Sequence, residues 1–188
     1  MLEQVVEQYL KLFPGDKPKL KLLLKQLAES QELDDRRNFN GHIAGDAIIL
    51  SPDLTKILYI YHLRSGKWQQ PGGHFDKGED GPWSTAAREA HEETGVRLGK
   101  RIGPDKNNQK VPLHIVTGPV NPSTAKNEPS HWHHDFRYGF IAESETLGDI
   151  EDPGIKEAKW FDLKQAMAMK ESGHQVLTSI ERMLLLLK

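Results

Sequence analysis

The stretch AAREAHEETG, Ala86 to Gly95, sets Glu89, Glu92 and Glu93 at separations that an α-helix turns into one face. Carboxylates held side by side repel one another, so the fold must supply a neutralising partner: solvent, a nearby Lys or Arg, or a divalent cation. Hard oxygen ligands of this kind suit Mg²⁺ or Mn²⁺. The helix predicted to carry them runs from Pro82 to Thr94, with Pro82 suited to the first helical position after the Asp80-Gly81 turn. Gly95 stands where a positive φ can end that helix. Upstream, Gly72 and Gly73 allow the backbone to turn sharply and approach a ligand closely.

The remaining composition limits what surrounds this helix. The 188 residues are enough for one domain with a full core and a short appendage. With 25 Lys and Arg against 27 Asp and Glu, the net charge of −2 gives no basic field, and duplex nucleic acid is not an expected partner. Cysteine is absent, which removes disulfides, thiolate metal sites and cysteine nucleophiles and fits a reducing compartment, so the cytoplasm is the expected address. The opening MLEQVVEQYL lacks a basic n-region ahead of an apolar stretch, and Leu184 to Leu187 is too short to span a bilayer. The chain is therefore expected to be soluble and unprocessed, with no membrane partner.

Apolar residues at helical spacing predict a helix over Leu2 to Phe13, a break at PGDKP, Pro14 to Pro18, and a second helix carrying Leu20, Leu23, Leu24 and Leu27. Residues 1–35 thus read as an N-terminal helical extension, and residues 36–188 as the main domain. Strands are predicted at His42 to Leu50, Lys56 to Leu63, Pro112 to Val120 and His133 to Ala142; further helices are predicted at Asp162 to Lys170 and Gln175 to Leu187. This irregular interleaving favours an α/β fold with a mixed sheet and helices on its faces.

Extended outward, the opening stretch becomes PGGHFDKGEDGPWSTAAREAHEETGV, Pro71 to Val96, which resembles the box of the Nudix hydrolase family, G-x5-E-x7-R-E-U-x-E-E-x-G-U with U aliphatic. Gly73 stands five residues before Glu79, and Arg88 to Val96 fill the second half position by position. Eight residues rather than seven separate Glu79 from Arg88, an insertion that the Asp80-Gly81-Pro82 turn can absorb without changing the helical phase of Arg88 to Glu93. The resemblance implies a Nudix-type α/β/α sandwich over roughly Gly41 to Lys170. It implies Glu89, Glu92 and Glu93 as metal ligands, with Gly73 beside them, and an ion pair between Glu79 and Arg88. The implied reaction is hydrolysis of a nucleoside diphosphate linked to another moiety, by attack of a metal-activated water at phosphorus. All five charged residues then count as catalytic.

Other candidates are weaker. In HWHHDFRYGF, His131 to Phe140, a strand would put His131, His133, Asp135 and Arg137 on one face and aromatic residues on the other. Neither cysteines nor a helical His pair complete a zinc site there. His133 and Arg137 are instead expected at substrate phosphate or sugar, against the simpler possibility that Asp135 and Arg137 just pair. Trp68 precedes the box as an aromatic does in many family members, and Glu157 occupies a place where they often have an acid; both are taken as substrate-binding. Asp149, Glu151 and Asp152 compete with Glu157 as general base.

The resemblance also bears on substrate and assembly. Pro112, sixteen residues beyond Val96, resembles the spacing of ADP-ribose and sugar-nucleotide hydrolases, while the lack of a tyrosine at the comparable distance disfavours the dinucleoside polyphosphate branch and the lack of cysteine the isopentenyl diphosphate branch. The expected substrate is a small nucleoside diphosphate derivative. A (d)NTP pyrophosphohydrolase and a non-catalytic nucleotide sensor are the alternatives. The apolar stripes of the N-terminal hairpin need burial, and a two-fold homodimer is the expected solution.

Overall fold

The computed structural model describes residues 2–105, 107–108, 110–123, 127–168 and 173–188. Helix α1 spans Leu2–Leu12 and is followed by a 3-10 helix, Pro14–Leu20, and by α2, Lys21–Ala28. Strands β1 (His42–Leu50), β2 (Lys56–His62), β3 (Lys67–Gln69) and β4 (Gly72–His74) lead into α3, Pro82–Thr94. Then come β5 (Leu98–Ile102), β6 (His114–Val120), β7 (His131–Ala142) and β8 (Ile155–Asp162), with α4 (Leu163–Ala168) and α5 (Gly173–Leu186) last.

All eight strands join one mixed sheet, and it is organised on β1. This strand runs parallel to β7 through nine consecutive pairs, from His42 opposite His133 to Leu50 opposite Ile141. On its other edge the start of β1 pairs antiparallel with β4 and its end with β2, so a second strand joins before the first has ended. Every residue of β1 is buried, which explains its continuous run of apolar and small residues. Alternation along the strand sends Ile43, Ala47 and Ile49 to one core and Ile48 and Leu50 to another. The first core takes Ala86 and Ala90 of α3 with Val5, Val6, Tyr9, Leu20 and Leu23; the second takes Ala166 of α4 with Val176, Ile180 and Met183 of α5. The mixed α/β sandwich is therefore present, with helices on both sides.

Four strands have no counterpart in the sequence reading. β3 and β4 are three residues each, too short to show a period of two. β5, LGKRI, and β8, IKEAKWFD, carry so many charged residues that no apolar face declares itself. The helix expected over Asp162 to Lys170 is observed as Leu163–Ala168, and its last two expected residues lie outside the described ones.

The N-terminal helices bear on the expected use of their apolar stripe. Their apolar stripe packs within the same chain: Tyr9, Leu20 and Leu23 are wholly buried, and Val5 and Val6 nearly so. The hairpin therefore gives no reason of its own for a homodimer. Polar contacts lock it in place as well. Gln26 of α2 accepts a hydrogen bond at 2.8 Å from Nε2 of the buried His134, whose other nitrogen meets the Thr117 hydroxyl at 2.9 Å. Asp16 in the 3-10 helix accepts hydrogen bonds from the Tyr9 hydroxyl and, at 2.8 Å, from Arg182 of α5. Among the described residues no helix is long and apolar enough to cross a membrane.

Two outcomes follow. Truncation through Ser30 should expose the first core and abolish cooperative thermal unfolding, rather than yield a folded monomer in light scattering. Burial alone would raise the Asp16 carboxyl, but the bonds from Tyr9 and Arg182 outweigh it and hold it below the ordinary carboxylate range. A depressed folded value stabilises above the unfolded pKa and loses that contribution as pH falls through the folded one. Asp16→Asn should cost about 2–4 kcal/mol at neutral pH by leaving Arg182 unpaired. In urea titrations the gap to wild type should narrow below about pH 4.

Candidate active site

Helix α3 begins at Pro82, next to Gly81, and ends at Gly95, whose φ of 62° lets its N–H return to His91 O at 2.7 Å. The buried side of α3 is Thr85, Ala86, Ala90, Glu93 and Thr94, so one glutamate points inward while Glu89 and Glu92 flank it. The helix lies on β4 with almost no room to spare. A Cβ at Gly73 would stand 2.3 Å from Glu89 Oε1, so only glycine lets the carboxylate rest against the strand. One residue earlier, the Gly72 N–H donates to Glu93 Oε2 at 2.8 Å.

Arg88 holds the group together. Its Nε donates to Glu79 Oε1 at 3.0 Å, its Nη1 to Glu89 Oε1 at 2.8 Å and Glu92 Oε2 at 2.9 Å, and its Nη2 to the His74 carbonyl at 3.0 Å. Eight intervening residues do not prevent the Glu79–Arg88 contact. Glu79 is secured in turn by the Thr85 hydroxyl and the Asp76 N–H, and these bonds with Arg88 hold its carboxyl down against the effect of burial. The inward carboxylates are driven the other way. Burial, with Glu89, Asp152 and Asp46 nearby, pushes Glu93 up to about 9 despite the Gly72 hydrogen bond. Burial likewise raises Glu89, assisted by Glu92 and Asp152 and opposed by Arg88.

Arg88, Glu89, Glu92 and Glu93, with Gly72, Gly73 and His74 of β4, line a cavity of about 450 Å³. The loop before β8 completes it. Gly148 N–H donates to Thr94 O and Glu151 N–H to Glu92 O, which seats Glu151 and Asp152 against the end of α3. Six carboxylates, from Asp76, Glu89, Glu92, Glu93, Glu151 and Asp152, face only two guanidiniums, Arg36 and Arg88. Clustered carboxylate oxygens with this excess of negative charge suit a hard divalent cation, with Glu89, Glu92 and Glu93 as the candidate ligands.

The sequence model of the NUDIX domain matches residues 42–179, a span that includes the whole cavity-forming helix and its strands. The chain belongs to the Nudix family. A relative from Lactococcus lactis subsp. cremoris named "Probable DHNTP pyrophosphohydrolase" is 30% identical over 153 residues, covering 81% of this chain and 87% of that one. A Nudix hydrolase structure from Clostridium perfringens superposes with a TM-score of 0.59 at 23% identity, over 77% of this chain and 97% of the other. The E. coli dihydroneopterin triphosphate pyrophosphohydrolase gives a TM-score of 0.56 at 16% identity, over 76% and 94%. At such identities the two structures speak for the fold alone. With the family comes the reaction type: this chain is a Nudix pyrophosphohydrolase.

Four residues expected at substrate are not among the lining of this cavity. Arg137 is 5% exposed and bonds Asp46 Oδ2 at 3.1 Å, with Asp135 Oδ2 at 3.8 Å, so the ion-pair alternative describes it better. His133 packs among three other histidines on the same sheet face. Trp68 makes edge contacts with Tyr61 and Phe161 and packs on the second core. Glu157 is exposed on β8, opposite Tyr61. Sequence patterns assigned these residues by order along the chain, while lining a cavity depends on which strand edge is left open. Asp149 is likewise absent from the lining, whereas Arg36, His62, His74 and Asp76 belong to it and no motif announced them.

Gly73→Ala should drive the Glu89 carboxylate off β4. Divalent cation affinity read by calorimetry should then fall by about tenfold or more, as when a supporting group of a metal site is lost.

Proposed function

We propose that the chain hydrolyses the phosphoanhydride of a nucleoside diphosphate derivative, with Glu89, Glu92 and Glu93 holding Mg²⁺ or Mn²⁺ beside the Gly73 backbone. The single observation behind this reading is the inward Glu93 carboxylate, crowded by Glu89 and Asp152 in a cavity where cations are too few. A bound divalent ion supplies charge neutralisation at the phosphate oxygens and a more acidic water. The residues do the rest. Arg88 orients Glu89 and Glu92, and Glu79 anchors Arg88. Arg36 at the cavity wall offers a guanidinium to a phosphate. Water adds to phosphorus, its proton passes to a carboxylate for which Glu151 and Asp152 are the placed candidates, and the bridging P–O bond breaks.

A second substrate reading has its own support. The 30%-identical relative bears the name of a pyrophosphohydrolase acting on DHNTP, which favours a nucleotide-like triphosphate over an NDP-sugar or ADP-ribose. A sensor that binds without turnover is disfavoured because all three glutamates are present. Phosphate release after coupled phosphatase treatment, across NDP-sugars, ADP-ribose, (d)NTPs and dihydroneopterin triphosphate, separates these readings. Tight binding with no turnover on any of them would favour the sensor. A Glu92→Gln, Glu93→Gln double variant should keep its fold by circular dichroism and lose more than the roughly 10–100-fold that outer-shell changes cost. Wild-type rates at saturating Mg²⁺ would refute the ligand assignment.

A further inference from the structure

Four imidazoles meet on the sheet face that carries the buried Asp46 and Arg137 and the half-buried Asp135. His42 lies on β1, His74 on β4, and His131 and His133 on β7, and one ligand atom from each falls within 4.8 Å of every other. The registers produce this: His42 is opposite His133, and Ala44, two residues along the same face of β1, is opposite His74. Only the two β7 histidines are close in sequence, so the other two ligands become visible once the sheet is assembled.

Hydrogen bonds fix the tautomers. His42 Nδ1 is 3.0 Å from the Asn38 carbonyl and His131 Nδ1 is 2.8 Å from the Pro129 carbonyl; a carbonyl can only accept, so both Nδ1 atoms carry the proton. Each Nε2 is then a bare lone pair. His42 is 1% exposed, yet its Nε2 has no hydrogen-bond partner among the described residues, a costly arrangement for a buried polar atom. His131 Nε2 stands 3.1 Å from His133 Nε2, and His133 Nδ1 faces Asp135 Oδ1 at 3.7 Å. Backbone carbonyls and a carboxylate behind the imidazoles form the outer shell that metal-bound histidines use. In addition, two carboxylates here, the buried Asp46 and the half-buried Asp135, are answered by one guanidinium, so a further positive charge would be balanced.

We propose that His42, His74, His131 and His133 form a four-coordinate site for Zn²⁺ or a similar late first-row divalent ion, distinct from the glutamate cluster and adjoining the acidic cavity at His74. Zn–N bonds of about 2.0–2.1 Å place tetrahedral nitrogens about 3.3 Å apart, close to the His131–His133 separation already present. An all-nitrogen donor set selects such ions over Mg²⁺. Its work is positional. β4 is a three-residue strand whose Gly72 and Gly73 contact Glu93 and Glu89, while the His74 carbonyl accepts from Arg88. A metal on the His74 ring ties that strand to β1 and β7 and keeps the glutamates in place.

Co²⁺ titration of the chelator-treated full-length protein tests this without an activity assay. One equivalent should produce the intense visible absorption of a tetrahedral ion, persisting in millimolar Mg²⁺ and in a Glu89→Gln, Glu93→Gln variant. Zn²⁺ should displace it and raise the melting temperature of the wild type. The band should vanish in His131→Gln and His133→Gln, with circular dichroism checking their fold. Absence of a tetrahedral band in the wild-type protein would overturn the site. So would a band that disappears in the glutamate variant while surviving in folded histidine variants. The first result leaves the hydrolase reading untouched, and the second would support its glutamate ligands while removing the histidine site.

Discussion

The parallel pairing of β1 with β7 is the constraint from which the other features take their positions. Nine consecutive register pairs hold two fully or largely buried strands together at the centre of the sheet. Because side chains alternate, one face of this pair supplies Ile43, Ala47, Ile49, Phe136 and Tyr138 to the core under α1, α2 and α3. The other face runs from His42 and His133 through Asp46 and Arg137 to Ile48 and Leu50 in the core under α4 and α5. A slip of one residue would invert both faces and scatter the histidines and the ion pair together.

The acidic cavity sits at the edge of this arrangement, and its energetics run against stability. Glu89 and Glu93 are buried beside like charges, with Arg88 alone bridging Glu79, Glu89 and Glu92. Buried carboxylates pushed upward in this way are common where a fold stores unfavourable charge for a ligand. What allows it is close packing of backbone: Gly73 lets Glu89 touch β4, and Gly95 lets the loop around Gly148 close over the end of α3. The N-terminal helices share the first core with α3. Gln26 reaches His134 on β7 and Asp16 reaches Arg182 on α5, so the first residues of the chain brace strands and helices that are distant in sequence.

Local chemistry made part of this legible before any fold was known. Pro82 to Thr94 and His42 to Leu50 have the boundaries that proline, glycine and apolar runs dictate, because those signals act within a few residues. Helical spacing alone placed Glu89, Glu92 and Glu93 on neighbouring turns. The eight-residue interval between Glu79 and Arg88 left their pairing open in distance, and the Gly81 turn closes it to 3.0 Å.

Tertiary structure decided everything that depends on strand edges and on contacts across the sheet. Arg137 and His133 looked available for substrate when only their shared strand face was considered, but the neighbouring strands bring Asp46 to Arg137 and His42 and His74 to His133 on that face. Trp68 and Glu157 are sorted by β8 joining β2, a pairing between segments nearly a hundred residues apart. The hairpin stripe could have met a second copy or its own core, and Val5, Val6, Tyr9, Leu20 and Leu23 pack into the first core beside α3. Sequence by itself determined the helix that carries the glutamates, since a helix is a local periodic object; the cavity around it and the four-histidine cluster required the sheet, since strand partners are chosen by burial and not by nearness along the chain.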